Sequence, residues 1–132
     1  MKLLAYEVDK RSFLGIFNED ETWVYPISAA GMEYRSMKDL IREAGPSEME
    51  MLDYISKKAP GDVTGAAPVE EIKIVSPIPE PDQDIICLGI NYMDHAAESA
   101  RFQKEEFARP EKAIYFSKRV NRTNDPDGII PA

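Results

Sequence analysis

The sequence predicts an α+β fold, with a small strand-rich N-terminal domain that carries two helices, followed by the start of a β-rich second domain. Three observations predict it. Residues 2–26 alternate apolar and polar side chains as strands do, residues 36–56 change to a helical period, and two further apolar strands follow residue 80. We place the domain boundary in a proline-rich stretch, so that residues 1–75 form the first domain and residues 76–132 begin the second.

The first strands form an antiparallel meander. Residues 2–8 and 12–17 flank the polar turn Asp9-Lys10-Arg11, which is a hairpin signal. Residues 22–26 read as a third strand, and the proline at position 26 ends it.

Two helices follow the meander. Ser36 and Asp39 have the spacing of a capping box, and Gly45-Pro46 stops the first helix. Ser47 starts the second helix, which ends at Pro60-Gly61. Each helix has a predicted buried stripe, formed by Met37, Leu40 and Ile41 in the first and by Met51, Leu52 and Ile55 in the second.

The rest of the chain alternates connections and short elements. Residues 60–68, rich in Pro, Gly and Ala, predict a linker, and residues 69–75 predict a strand. Beyond the prolines we expect a buried strand over 84–90, a helix over 91–100 and a strand over 113–117. Cys87, the only cysteine, is expected in the core rather than as a reactive thiol. Residues 127–132 resemble a strand interrupted as it starts.

Composition excludes several classes of protein. The 132 residues include 16 Lys and Arg against 24 Asp and Glu, a net charge of −8 that repels nucleic-acid phosphates. No apolar run approaches the roughly 18 residues of a membrane span. Glu7 and Asp9 follow the short apolar start too closely for a signal peptide. We therefore expect a cytoplasmic protein with no nucleic-acid or membrane partner.

The residues that carry chemistry follow the strand that ends at Gly89. Asn91 is placed to cap the helix over 91–100, on which His95 and Glu98 share a face because they are three positions apart. A carboxylate beside an imidazole orients it and raises its basicity, as a general base requires. The alternative interpretation is a solvated pair on an exposed helix. A single histidine without a cysteine cluster disfavours a zinc site.

The run GINYMDHAAE at positions 89–98 resembles the G-x-N-Y-x-x-H-x-x-E signature of the fumarylacetoacetate hydrolase family. The run ARPEKAIYFSK at 108–118 is similar to the family's next element, a proline-bearing loop and a strand that ends in F-x-K. SPIP at 76–79 and GIIP at 128–131 resemble the flanking elements, so the match spans residues 72–131. The chain resembles the 2-hydroxyhepta-2,4-diene-1,7-dioate isomerase-like members.

This resemblance implies that residue 76 begins a catalytic domain of the fumarylacetoacetate hydrolase type. The family acts on acylpyruvates and 2-oxo dicarboxylic acids by C–C bond hydrolysis, decarboxylation or keto–enol isomerisation, with Mg²⁺ (or Mn²⁺ or Ca²⁺) as Lewis acid. By analogy, His95 paired with Glu98 is catalytic and activates water or moves a proton. The substrate-binding residues implied in the same way are Asn91, Tyr92 and Lys118, with a surface lysine as the alternative for the last.

The family's metal ligands, an E-x-E pair and a later Asp, lie downstream of the region that the chain matches. We therefore expect the 132-residue chain to be an inactive portion that binds no metal tightly, with the metal held by the complete enzyme. Glu105-Glu106 and Asp125-Pro126-Asp127 do not match the metal motif, so we interpret them as a surface and a turn.

Two hypotheses for the function stay open. The first is a portion of an enzyme that acts on a small 2-oxo acid. The second is a non-catalytic N-terminal module for packing or dimerisation, which the linker-like residues 60–68 favour. A homodimer is expected, because the apolar strands beyond residue 84 need partners. A reading frame that continues past Ala132 into an E-x-E pair would favour the first hypothesis.

Overall fold

A computed structural model describes residues 1–89 and 112–130. The chain divides into two compact units, one formed by Met1–Pro79 with Thr123–Ala132 and the other by Glu80–Arg122. The first unit contains a five-stranded antiparallel sheet and two helices, which is consistent with the predicted α+β class. The domain boundary predicted at residues 75 and 76 stays a prediction.

The sheet of the first unit has the strand order β4-β3-β2-β1-β5. Its strands are β1 (Leu3–Val8), β2 (Arg11–Phe17), β3 (Trp23–Pro26), β4 (Ala67–Pro68) and β5 (Lys73–Val75). The predicted meander is confirmed, and Val8 pairs with Arg11 across its first turn. Asp9 and Lys10 have φ angles of 49° and 62°, the left-handed values that a two-residue type I′ turn requires.

Helix α1 (Met37–Glu43) begins as predicted, because the Ser36 hydroxyl accepts a hydrogen bond of 3.1 Å from the Asp39 amide. Helix α2 (Pro46–Ser56) begins one residue earlier than predicted. Its first position is Pro46, whose missing N–H costs nothing there, while the Gly45 amide donates to the Glu48 carboxylate at 3.1 Å. The helix ends at Ser56, and Pro60–Asp62 form a separate 3-10 turn. Within residues 1–89 and 112–130, no helix has the length and apolarity to cross a membrane.

Apolar side chains pack on both faces of the curled sheet. Tyr25 points toward the helices and is fully buried, and its hydroxyl donates to the Lys58 carbonyl oxygen at 2.7 Å. Burial raises the pKa of the Tyr25 phenol above its ordinary value. Val24, its neighbour on β3, faces the other side because side chains alternate along a strand. The helix-side core contains Ile16, Tyr25, Ile27, Met32, Met37, Leu40, Leu52, Ile55 and Val63, and the opposite core contains Leu4, Tyr6 and Val24.

The predicted buried stripes are correct in part. Leu40 and Leu52 are buried, but Ile41 is 62% exposed and Met51 is 47% exposed, so the predictions for these two residues are wrong. Each follows or precedes a buried residue by one position, which turns it about 100° away around the helix.

The predicted linker is also wrong in part. Residues 67–68 form strand β4, which pairs with β3, and Val63 is buried in the helix-side core. Residues 69–75 begin with a 3-10 turn over Val69–Glu71, and only Lys73–Val75 form the strand. The Gly and Pro residues in 60–68 therefore belong to turns and to the short strand β4 rather than to a linker.

The second unit contains an antiparallel pair, β6 (Ile85–Gly89) and β7 (Ile114–Lys118). Both strands were predicted, but the burial expected over 84–90 is wrong for the described residues of that range, because Ile86 is 74% exposed. Cys87 is only partly buried, which contradicts its predicted core position. Among the described residues each of these strands pairs only with the other, and most of their side chains are exposed. The predicted helix over 91–100 lies outside the described residues.

Gly15 is the position where the sheet leaves least room for a side chain. A Cβ atom there would lie 2.8 Å from both the Tyr25 carbonyl oxygen and Tyr6 Cε1, and 2.9 Å from Val24 Cγ1. We expect Gly15→Ala to lower the free energy of unfolding by about 1–3 kcal/mol, because neighbouring strands must separate. Urea denaturation measures this. The matched control is Gly61→Ala, where nothing lies within 4 Å and a change within about 0.5 kcal/mol is expected; equal effects of the two substitutions would contradict the packing argument.

Candidate functional site

The candidate motif begins where β6 ends. Gly89, the first residue of the GINYMDHAAE run, closes the strand and pairs with Ile114 on β7. The catalytic residues predicted from the sequence, His95 and Glu98, lie outside the described residues, as do the predicted substrate-binding residues Asn91 and Tyr92. Their roles therefore stay predictions.

Lys118 is the predicted site residue that the structure places. It is the last residue of β7, it is exposed, and its Nζ atom lies 6.0 Å from the centroid of the Phe116 ring. In the antiparallel register Lys118 pairs with Ile85, whereas Gly89 pairs with Ile114. Four strand residues at roughly 3.3 Å each separate these positions by about 13 Å. The strand pair by itself therefore does not bring Lys118 to the start of the motif.

Asp125 has a structural environment rather than that of a metal ligand. Its Oδ1 accepts a hydrogen bond of 2.9 Å from the Ser76 amide, and its Oδ2 lies 3.4 Å from Lys73 Nζ. The Gly128 amide donates to the Asp125 carbonyl oxygen at 3.0 Å, which confirms the predicted turn. The interrupted strand expected over 127–132 is not formed in residues 127–130.

Within residues 1–89 and 112–130, no three His, Cys, Asp or Glu side chains come together as a metal site. Asp125 faces a lysine ammonium and a backbone N–H donor, and both compete for the lone pairs that a cation needs. The described residues therefore do not fit a divalent metal. Glu105-Glu106 lie outside the part of the chain that the structure describes.

A polar contact that the sequence did not predict joins two distant segments. We call it the clasp and define it by Ser76, Ile78, Pro79, Thr123 and Asp125. The Thr123 amide donates to the Pro79 carbonyl oxygen at 2.9 Å, and the Thr123 hydroxyl donates to the Ile78 carbonyl oxygen at 2.8 Å. No local period links positions 45 residues apart, so sequence patterns carry no signal for this contact.

Comparison with known proteins gives one informative relative. No family model matches the chain. The chain is 40% identical, over an alignment of 128 residues, to oxaloacetate tautomerase YisK of Bacillus subtilis (strain 168). The alignment covers 89% of this chain and 41% of the tautomerase, so the chain spans less than half the length of that enzyme. Nearly all of the chain is thus similar to part of an enzyme that tautomerises oxaloacetate.

Proposed function

We propose that the chain is the N-terminal portion of a fumarylacetoacetate hydrolase-family enzyme that interconverts the keto and enol forms of a 2-oxo dicarboxylic acid such as oxaloacetate. The similarity to oxaloacetate tautomerase YisK carries this proposal, because 40% identity extends over most of the chain. The part left out is 11% of 132 residues, about 15 positions. Residues 91–98 are farther than that from either end, so a continuous alignment includes them.

Keto–enol interconversion is a proton transfer between carbon and oxygen. A base removes a proton from the carbon next to the 2-oxo group, and the carbonyl oxygen gains one. We assign the base to His95, since imidazole titrates near neutral pH and both accepts and returns a proton there. Glu98, three positions away on the predicted helix, orients the imidazole and stabilises its protonated form.

A dicarboxylic 2-oxo acid also needs positive charge and hydrogen-bond donors around it. Lys118 is an exposed cation at the end of β7, opposite Ile85 and therefore at the other end of the strand pair from Gly89, so its assignment rests on the F-x-K resemblance. We assign it to a substrate carboxylate, with Asn91 and Tyr92 as hydrogen-bonding groups. An ammonium ion paired with a carboxylate forms a charge-assisted hydrogen bond, which is stronger than a neutral one.

A divalent metal is implied only by the resemblance to the fumarylacetoacetate hydrolase family. When bound in the complete enzyme, Mg²⁺ or a similar ion would supply Lewis-acid stabilisation of the substrate's 2-oxo-carboxylate. The described residues do not fit such an ion. The roles assigned to His95, Glu98 and Lys118 are proton transfer, orientation and carboxylate binding, which these side chains perform themselves.

The reaction class can be tested by measuring three reactions side by side on the complete gene product. These are conversion of enol oxaloacetate to the keto form, decarboxylation of oxaloacetate, and hydrolysis of an acylpyruvate. The proposal predicts that tautomerisation is the fastest, with the 132-residue chain as an inactive control. Faster acylpyruvate hydrolysis would keep the family but replace the proposed reaction.

A matched pair of lysines tests the substrate-binding assignment. We expect Lys118→Ala to raise the KM for oxaloacetate roughly tenfold or more, because a charged hydrogen bond contributes about 1.5–3 kcal/mol. Steady-state kinetics measure this. Lys112 is also exposed and lies two positions before β7, so Lys112→Ala controls for the loss of surface charge. Equal KM values for both variants would exclude Lys118 from the site.

The second candidate function is a packing or dimerisation module, and one observation favours it. Every strongly buried hydrophobic side chain among the described residues lies between Leu4 and Val63, so the first unit has a core of its own. On this reading the chain forms a homodimer without catalysis. Sedimentation of the chain over a range of concentrations tests it, and a monomer at all concentrations would rule it out.

A further inference from the structure

We propose that the clasp is a positioning device that holds together the two chain segments from which β6 and β7 depart, with Thr123 as its central positioning residue. Thr123 and Asp125 are not among the predicted site residues, and neither are Ser76, Ile78 and Pro79, which belong to the SPIP element at 76–79. It does not depend on the proposed function, except where Lys118 is given a substrate to bind.

Thr123 uses both its backbone amide and its side-chain hydroxyl in the clasp. Its amide donates to Pro79 and its hydroxyl hydrogen is directed to the Ile78 carbonyl, which can only accept. The Ser76 hydroxyl also contacts Thr123 Oγ1, and because the threonine hydrogen is already used, Ser76 is the donor in that bond. One threonine side chain therefore bridges two residues of the opposite segment.

Asp125 fixes the same two segments a second time. It accepts from the Ser76 amide at 2.9 Å, and Ser76 itself is only 7% exposed. The carboxylate also faces Lys73 on β5, whose ammonium lies 3.7 Å from Glu7 on β1. The clasp is thus anchored on the strand that ends the five-stranded sheet, not on a free loop.

The clasp joins the two residues that flank residues 80–122 in the chain, Pro79 and Thr123. The chain leaves the first unit after Pro79 and returns to it at Thr123, and these two residues are hydrogen-bonded to each other. β6 begins six positions after Pro79, and β7 ends five positions before Thr123. Tethers this short keep the starting end of β6 and the final end of β7 close together, which lowers the entropic cost of pairing them.

The β6–β7 pair needs such support. An isolated two-stranded sheet is marginally stable in water, and Ile86 and Tyr115 expose 74% and 67% of their surface. Along the chain, the paired residues with the shortest connections to Pro79 and Thr123 are Ile85 and Lys118. Keeping Ile85 and Lys118 paired therefore fixes the register of β6 against β7. If the proposed function holds, the same register fixes the position from which the Lys118 ammonium binds the substrate carboxylate.

Hydrogen exchange of the 132-residue chain tests the inference without any assay of activity. We expect Thr123→Val to speed exchange of the β6–β7 ladder amides at least about tenfold, while β1–β2 amides change less than about twofold. Thr123→Ser keeps the hydroxyl and is expected to restore slow exchange. Thr64→Val removes an exposed threonine hydroxyl of the same unit and is the control.

Two results would overturn the proposal: unchanged β6–β7 exchange in Thr123→Val, or equal acceleration in β1–β2, which would show a general loss of stability. In the complete gene product, Thr123→Val should lower kcat/KM for oxaloacetate about as much as Lys118→Ala does, with rescue by Thr123→Ser. If the wild-type protein does not tautomerise oxaloacetate, the proposed function fails, and the exchange result still decides the role of the clasp.

Discussion

Replacing His95 with alanine in the complete enzyme is expected to lower kcat for oxaloacetate tautomerisation by about 10²–10⁴-fold. This is the range that a positioned general base contributes, and His95 is the only histidine that residues 1–132 offer for the role. KM should change little, because the imidazole is assigned to proton transfer rather than to holding the carboxylates. Stopped-flow measurement of enol absorbance gives both parameters.

Two further variants test whether His95 acts as a general base or only supports the structure. Glu98→Gln keeps the shape of the side chain but removes its charge, so a smaller loss of kcat is expected because the imidazole loses its orienting partner. Ser99→Ala changes the same segment at a residue with no assigned role and should leave kcat unchanged. A His95→Ala enzyme that is folded and fully active would show that the histidine belongs to a solvated pair.

Replacing Leu40 with alanine is expected to lower the free energy of unfolding by about 2–5 kcal/mol, the usual cost of a cavity in a packed core. Leu40 is 2% exposed and packs in the core between α1 and the sheet. Ile41, the next residue of the same helix, is 62% exposed, so Ile41→Ala should change stability by less than about 0.5 kcal/mol. Urea denaturation followed by the fluorescence of Trp23 measures both.

Comparing Leu40→Ala with Ile41→Ala is informative because the two residues have the same size and lie in the same helix. Equal destabilisation by Leu40→Ala and Ile41→Ala would mean that the helix buries the face predicted from the sequence rather than the face observed. A large effect of Ile41→Ala alone would mean that α1 packs on the sheet through the face that carries Ile41, which would contradict the observed orientation.

Local patterns predicted the elements of the first unit well. Alternation identified β1, β2 and β3, and the Ser36–Asp39 spacing identified the start of α1, because these signals depend on residues within a few positions of each other. The exposed positions of Ile41 and Met51 could not be predicted with the same ease. An apolar stripe with members at adjacent positions fits more than one helix rotation, and packing against the sheet selects one.

Composition was a poorer guide than pattern. The Gly, Pro and Ala residues over 60–68 indicated a linker, yet Val63 fills the core and residues 67–68 extend the sheet. The strand observed at Ile85–Gly89 is as apolar as predicted but largely exposed, because burial depends on layers that local sequence does not specify.

For the candidate site too, local motifs were informative and contacts between distant residues could not be predicted. The G-x-N-Y-x-x-H-x-x-E spacing identified His95 and Glu98 as candidates from neighbouring residues, and the F-x-K ending identified Lys118. The register that pairs Lys118 with Ile85, and the clasp through Thr123, depend on contacts across more than 30 positions. Such contacts follow from the folded topology and leave no periodic trace in one sequence.

The most direct test of the proposed tautomerase is incorporation of deuterium at carbon 3 of oxaloacetate in D₂O, followed by NMR on the complete gene product. Proton transfer through a base at this carbon predicts incorporation well above the rate without enzyme, and a return to the background rate in His95→Ala. Incorporation at the background rate by the folded wild-type protein would contradict the proposed function.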